Sequence, residues 1–168
     1  MGGEAQAFGD SPWSIRDFCA ADVAGMTEIL QESPEAANWS GENAGGLAAS
    51  ASALWLVCES QGSVAGFLMG RYVVDEAEIH NLGVRRSERR RGIGTALIEA
   101  AVAEFRKRGA CRIYLEVRES NAAAIWLYRM RGFVQQGIRK GYYRSPDEAA
   151  VLMDRTLESG TKFPQLSS

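Results

Sequence analysis

Hydrophobic positions change period several times along the chain, and each change marks an element. Ser14 to Phe18 fits a first strand. Val23, Met26 and Leu30 recur at helical spacing behind Asp22, a good N-cap residue, which predicts a helix to about Glu32. Leu54 to Glu59 and Val64 to Tyr72 are apolar and β-prone, and Ser60-Gln61-Gly62-Ser63 between them signals a hairpin turn. Ala77 to Val84 alternates weakly and predicts a further strand. Leu97, Ala101 and Phe105 then recur every fourth residue within Thr95 to Arg108, a helix that Gly109 should stop. From Cys111 to Arg118 the period returns to two. Ile113, Leu115 and Val117 face one way; Arg112, Tyr114, Glu116 and Arg118 face the other. Ser120 or Asn121 caps a helix running through Tyr128, and Gly132 closes it. Phe133 to Lys140 and Ala150 to Leu157 read as two last strands.

The remaining stretches set the domain plan. Residues 1–12 are small and polar, and they read as a loose arm. Ser33 to Gly46, with Pro34 and Trp39, reads as a loop or broken helix. Residues 159–168 read as a frayed tail, which leaves one domain over 13–158. A chain of 168 residues can bury a core without metal or disulfide staples. No run of about 18 apolar residues exists, which excludes a membrane-spanning helix. Met1 to Asp10 lacks the basic and apolar regions of a secretion signal, so a cytoplasmic location is expected. Cys19, Cys58 and Cys111 show no CxxC spacing, and His80 is the only histidine; a metal centre is not expected. The net charge of −2 argues against nucleic acid as a partner. Oligomeric state is left open.

One segment departs from this even charge. Arg85, Arg86, Arg89, Arg90 and Arg91 lie just before Gly92-Ile93-Gly94 and a helix. A helix N-terminus presents unpaired N–H groups and partial positive charge, and both favour phosphate. Glycine admits close backbone approach, and arginine adds charge-assisted hydrogen bonds. A solvated loop is the plainer reading of such a run. The dinucleotide fingerprint needs a third glycine where Leu97 stands. Gly132 and Gly137 have P-loop spacing, but Ile138-Arg139 replaces its Lys-Ser/Thr pair.

Arg89-Arg90-Arg91-Gly92-Ile93-Gly94 resembles the Arg/Gln-x-x-Gly-x-Gly/Ala signature of the GCN5-related N-acetyltransferases (GNAT). Glu78-Ile79-His80-Asn81-Leu82-Gly83-Val84 is similar to that family's fourth strand. Leu115 to Asn121, then Ala124 to Tyr128 and Gly132-Phe133, is similar to its fifth strand and the helix beyond. The likeness spans about residues 14–157 and is greatest toward the bacterial ribosomal-protein-alanine N-acetyltransferases, which share Arg139-Lys140-Gly141-Tyr142-Tyr143 before an acidic stretch at Asp147 and Glu148. Two departures, Arg85-Arg86 for Asp-Pro and Arg89 for Gln, add positive charge beside the expected phosphates. The resemblance implies an α+β fold: a mixed, mostly antiparallel sheet of six to seven strands with helices on both faces.

It also implies acetyl-CoA as co-substrate, no metal, and a protein or peptide N-terminus as acceptor. An alternative is a lysine side chain or a small amine as acceptor, or a coenzyme A sensor without turnover. A free α-amine is neutral to roughly a quarter near pH 7.4, whereas a lysine is neutral to only about 0.1%. A weak base therefore suffices for an α-amine. Glu116 is the implied base, directly or through water, and Glu78 the second candidate. Tyr128 is the implied general acid. The implied coenzyme contacts are Leu82, Gly83 and Val84 through their backbones, Arg89, Arg90, Arg91, Gly92, Ile93, Gly94 and Thr95 around the phosphates, and Asn121 near the thioester. Tyr142 and Tyr143 are candidates for the peptide groove, and Trp39 and Ser40 for the acceptor cleft. A lone strand histidine such as His80 is more often structural than catalytic.

Overall fold

The computed structural model describes residues 6–7, 11–33 and 44–158. Its strands are β1 (Gln6–Ala7), β2 (Trp13–Asp17), β3 (Ala53–Ser60), β4 (Ser63–Val73), β5 (Glu76–Val84), β6 (Arg112–Arg118), β7 (Val134–Arg144) and β8 (Asp147–Thr156). Its helices are α1 (Val23–Gln31), α2 (Ala44–Ala48), α3 (Ile93–Lys107) and α4 (Ala122–Met130). All strands join one sheet in the order β1-β2-β3-β4-β5-β6-β8-β7. Among the described strands, only β5 and β6 pair in parallel. They are joined by α3, as a parallel crossover requires. The expected mixed, mostly antiparallel sheet is therefore present, with a two-residue strand at its edge.

Alternation along β3 explains why both faces are covered. Leu54, Leu56 and Cys58 enter one core with Ile93, Leu97, Ala101 and Phe105 of α3. Trp55 and Val57 enter a second core with Met26 and Ile29 of α1. A strand buried on both faces reads as a continuous apolar run, as this one does. In the β3–β4 turn, Gln61 and Gly62 take φ of 50° and 76°, both positive as a type I′ hairpin requires.

Several expectations shift. Part of the expected loose arm is β1, which pairs with Ile15 and Ser14 of β2. The expected loop over 33–46 overlaps the start of α2, and its Trp39 and Ser40 lie outside the described residues, as does the expected tail. Asp22 stands at the N-cap position of α1 without capping it through its side chain. Its carboxylate instead accepts from Cys19 N–H at 2.8 Å and from both terminal nitrogens of Arg16 at 2.9 Å. β7 and β8 run further toward their shared turn than the hydrophobic pattern indicates, because Tyr143 and Arg144 pair with Glu148 and Asp147 at positions that are not apolar.

Candidate active site

The site begins with a break in the sheet. β5 pairs with β6 from Glu76↔Arg112 to Ile79↔Leu115, and the ladder ends there. On its other side β5 carries a bulge: Gly70 pairs with Ile79 and Met69 with Asn81, which leaves His80 without a partner residue. A bulge adds one residue and resets which face each side chain takes. Ala77 and Ile79 face the α3 core before it, and Leu82 and Val84 pack against that core after it. The C-terminal half of β5 thus runs on without β6, and its edge opens into a cavity.

The glycine turn closes one end of that cavity. Gly92 precedes α3 at φ 82°, a left-handed conformation that suits glycine. The first backbone bond of the helix runs from Ala96 N–H to Gly92 O at 3.0 Å, so the N–H groups of Ile93, Gly94 and Thr95 have no acceptor within the helix. A Cβ on Gly94 would sit 3.1 Å from Leu127 Cδ2, so glycine here lets α4 approach α3.

The arginines divide their work. Arg85 donates to Glu28 at 2.9 Å and to Val64 O at 3.1 Å. Arg86 N–H donates to Glu32 at 2.8 Å. These two arginines tie the turn to α1, which corrects the expectation that they add charge at the phosphate site. Arg91 pairs with Glu88 at 2.6 Å. Arg89 spans Val84 O (3.1 Å) and Ser33 Oγ (2.8 Å). Arg90, at φ 64°, has no hydrogen bond or ion pair among the described residues. It lines the cavity beside Gly92 and Gly94.

Asn121, not Ser120, caps α4: its Oδ1 accepts from Ala124 N–H at 3.1 Å. The resulting cavity has a volume of about 390 Å³. Every coenzyme contact implied by the sequence lines it except Arg91, which is occupied by Glu88. Ser33, Glu88, Ala123, Ala124, Trp126 and Leu127 complete the wall. Sequence reasoning did not single these out. The available signal was Ala123, Ala124 and Leu127 on one face of α4, together with a tryptophan that stays 57% exposed. A larger cavity of about 610 Å³, walled by Phe18, Trp55, Tyr72 and Arg108, shares no residue with this one. Arg108 there is already engaged by Glu104 and Ala53 O.

Glu116 and Tyr128 stand outside the cavity wall. Glu116 follows the last β5–β6 pair, on the face of β6 opposite Leu115 and Val117. Its Oε1 accepts from Arg139 Nη1 at 3.0 Å. Tyr142 lies close enough that the Glu116 carboxylate is the main reason its phenol pKa is pushed up to about 12. Tyr128 is buried and packs edge-on against Phe133, with centroids 5.5 Å apart. Burial pushes its phenol well above the ordinary range, and Tyr143 adds to the shift. Tyr143 feels Glu116 as well, so it lies within electrostatic reach of both candidates.

Glu78 is less available. Arg71 bonds it at 2.9–3.0 Å and His80 Nε2 lies 3.1 Å away. It lines a separate cavity of about 330 Å³ with Arg71 and Tyr114.

Residues 21–133 match the model of the Acetyltransferase (GNAT) family, and the chain belongs to that family. Among its relatives, the ribosomal protein bS18-alanine N-acetyltransferase of Escherichia coli K12 is 44% identical over 94 residues, 55% of this chain and 64% of that protein. The N-alpha-acetyltransferase RimI of Mycobacterium tuberculosis H37Rv is 38% identical over 100 residues, 57% of this chain and 61% of that protein. These matches span less than two thirds of either relative. The crystal structure of the ribosomal-protein-S18-alanine N-acetyltransferase from Escherichia coli superposes with a TM-score of 0.78 at 31% identity, covering 93% of this chain and 99% of that one. Ard1 from Thermoplasma volcanium gives 0.79 at 28% identity, covering 88% and 99%.

Proposed function

We propose that this protein transfers the acetyl group of acetyl-CoA to the free α-amine of a protein N-terminus that begins with alanine. The ribosomal protein named for its relatives is the type of acceptor meant. One observation carries the reading: β5 parts from β6 beside the glycine turn of α3, and the cavity between β5, that turn and α4 is lined by the residues that suit coenzyme A. The unpaired N–H groups at Ile93 to Thr95, with Arg90 beside them, suit the pyrophosphate. The open edge at Leu82 and Gly83 suits the amide groups of the pantetheine arm.

In the reaction the amine nitrogen bonds to the thioester carbonyl carbon and the carbon–sulfur bond breaks. The amine loses a proton and the departing thiolate gains one. Glu116 takes the first, directly or through water. Tyr128 supplies the second; burial keeps that phenol protonated throughout the neutral range. An α-amine asks little of its base, because about a quarter of it is already neutral near pH 7.4.

The test is coenzyme A release with short peptides that vary the first residue, alongside an N-blocked peptide with an internal lysine. Turnover with free Ala or Ser ends is expected. Tyr128→Phe should lower kcat by about 10- to 100-fold while the fold survives, since the ring keeps its packing. Turnover on the blocked peptide alone would move the activity to lysine. Tight binding with no turnover on any peptide would remove the peptide acceptor.

A further inference from the structure

Arg139 reaches Glu116, yet it comes from a strand that does not pair with β6. β8 lies between them in the sheet. The reach is made possible by the register. Arg139 pairs with Ala150, a small residue, and β8 then pairs Ala150 with Arg118 and Leu152 with Glu116. The ladder of β7 shifts between Arg139 and Tyr143, so Lys140 to Tyr142 loop out of register, with Gly141 at φ 62°. That bulge sets the Tyr142 ring against the Arg139 guanidinium, which holds the Glu116 carboxylate.

The bulge is itself braced. The Arg139 guanidinium lies 5.2 Å from the Tyr142 ring centroid, and Tyr142 meets Tyr143 edge-on at 5.0 Å. Arg118 stacks on Tyr143 at 4.1 Å. Arg118 is buried and donates to Ser145 O and Pro146 O, both at 3.2 Å, and to Glu148 at 3.3 Å. Its Nε is buried without a partner among the described residues, and its placement is held by those contacts and by the ring. Four side chains thus form a continuous strut from the end of β6, through the hairpin, back to Glu116.

We propose that Arg139, braced by the Tyr142 ring, is a positioning residue that clamps the Glu116 carboxylate in the orientation from which it deprotonates the acceptor amine. The inference rests on the reading of Glu116 as base. Arg139 acts through that carboxylate and touches neither substrate. An arginine held on the carboxylate at 3.0 Å limits its arrangements, whereas an unheld glutamate on an open sheet face samples several rotamers.

The test compares wild type, Glu116→Gln, Arg139→Gln, Arg139→Lys and Tyr142→Phe, with an alanine-ended peptide from pH 7 to about 9.5. An α-amine with a pKa near 8 is largely neutral at the upper limit and then needs no base. Arg139→Gln should lower kcat roughly tenfold at pH 7, with KM for acetyl-CoA unchanged. The loss should shrink toward high pH in step with that of Glu116→Gln. Arg139→Lys should recover part of it, and in the Glu116→Gln background Arg139→Gln should cost nothing more. Full activity in Arg139→Gln overturns the clamp. So does a loss independent of pH, or one repeated in the Glu116→Gln background, because either is what general damage to the hairpin would give. Full activity in Glu116→Gln instead overturns the choice of base.

Discussion

Arg90 and Arg91 are neighbours in the sequence with opposite fates in the fold. Arg91 folds back on Glu88, whereas Arg90 lines the cavity with no partner among the described residues. A guanidinium left unpaired beside a helix N-terminus is where a phosphate gains a charge-assisted hydrogen bond. Arg90→Ala should therefore raise KM for acetyl-CoA about three- to tenfold, less at high salt, with little change in kcat. Arg91→Ala should change KM much less, and steady-state kinetics on the two variants separates them. The sequence placed all five arginines near one loop but could not divide them. That division depends on Glu28 and Glu32, which α1 brings from more than fifty residues away.

Such long-range partners are what hold the elements around the site. Asp22 is the buried example. Burial alone would raise its carboxyl, but Arg16 and the Cys19 N–H outweigh this and hold it below the ordinary value. A carboxyl depressed in the folded state stabilises fully above its unfolded pKa, near 3.9, and that contribution is lost as pH falls through the folded value. Asp22→Asn should lower stability by about 2 kcal/mol near neutral pH, and the gap from wild type should close in acid. Urea unfolding at pH 7 and pH 3 measures both. Asp22 was legible in the sequence only as a helix cap. Its pairing with Arg16 was not, because that contact depends on how β2 meets the turn before α1. By contrast α3, β6 and the β3–β4 hairpin were legible, since period and glycine placement act locally. The bulge after Arg139 was hidden: a register shift leaves no mark in the pattern of an exposed edge strand.

At the scale of the whole molecule, the described strands form one sheet with a single parallel joint, and the cavity opens where that joint ends. No periodicity in β5 or β6 announces the parting. The sequence pointed toward it only through the resemblance, which implied that the backbones of Leu82, Gly83 and Val84 meet the coenzyme. The residues expected to contact coenzyme came from the same resemblance, and all but Arg91 line the cavity. The opposite wall was not, because Trp126 and Leu127 read as ordinary positions of an amphipathic helix. The contacts of Glu116 draw on β6, β7 and the turn before β8, so their arrangement is set by tertiary register.

The central claim is that acetyl transfer from this cleft goes to an α-amine. One peptide tests it most directly: a free N-terminal alanine followed by an internal lysine, incubated with acetyl-CoA and the protein. Tandem mass spectrometry then locates the added acetyl group. Acetyl on the alanine nitrogen, with the lysine untouched, is the expected result. Acetyl on the lysine, or none above a control without protein, would contradict it.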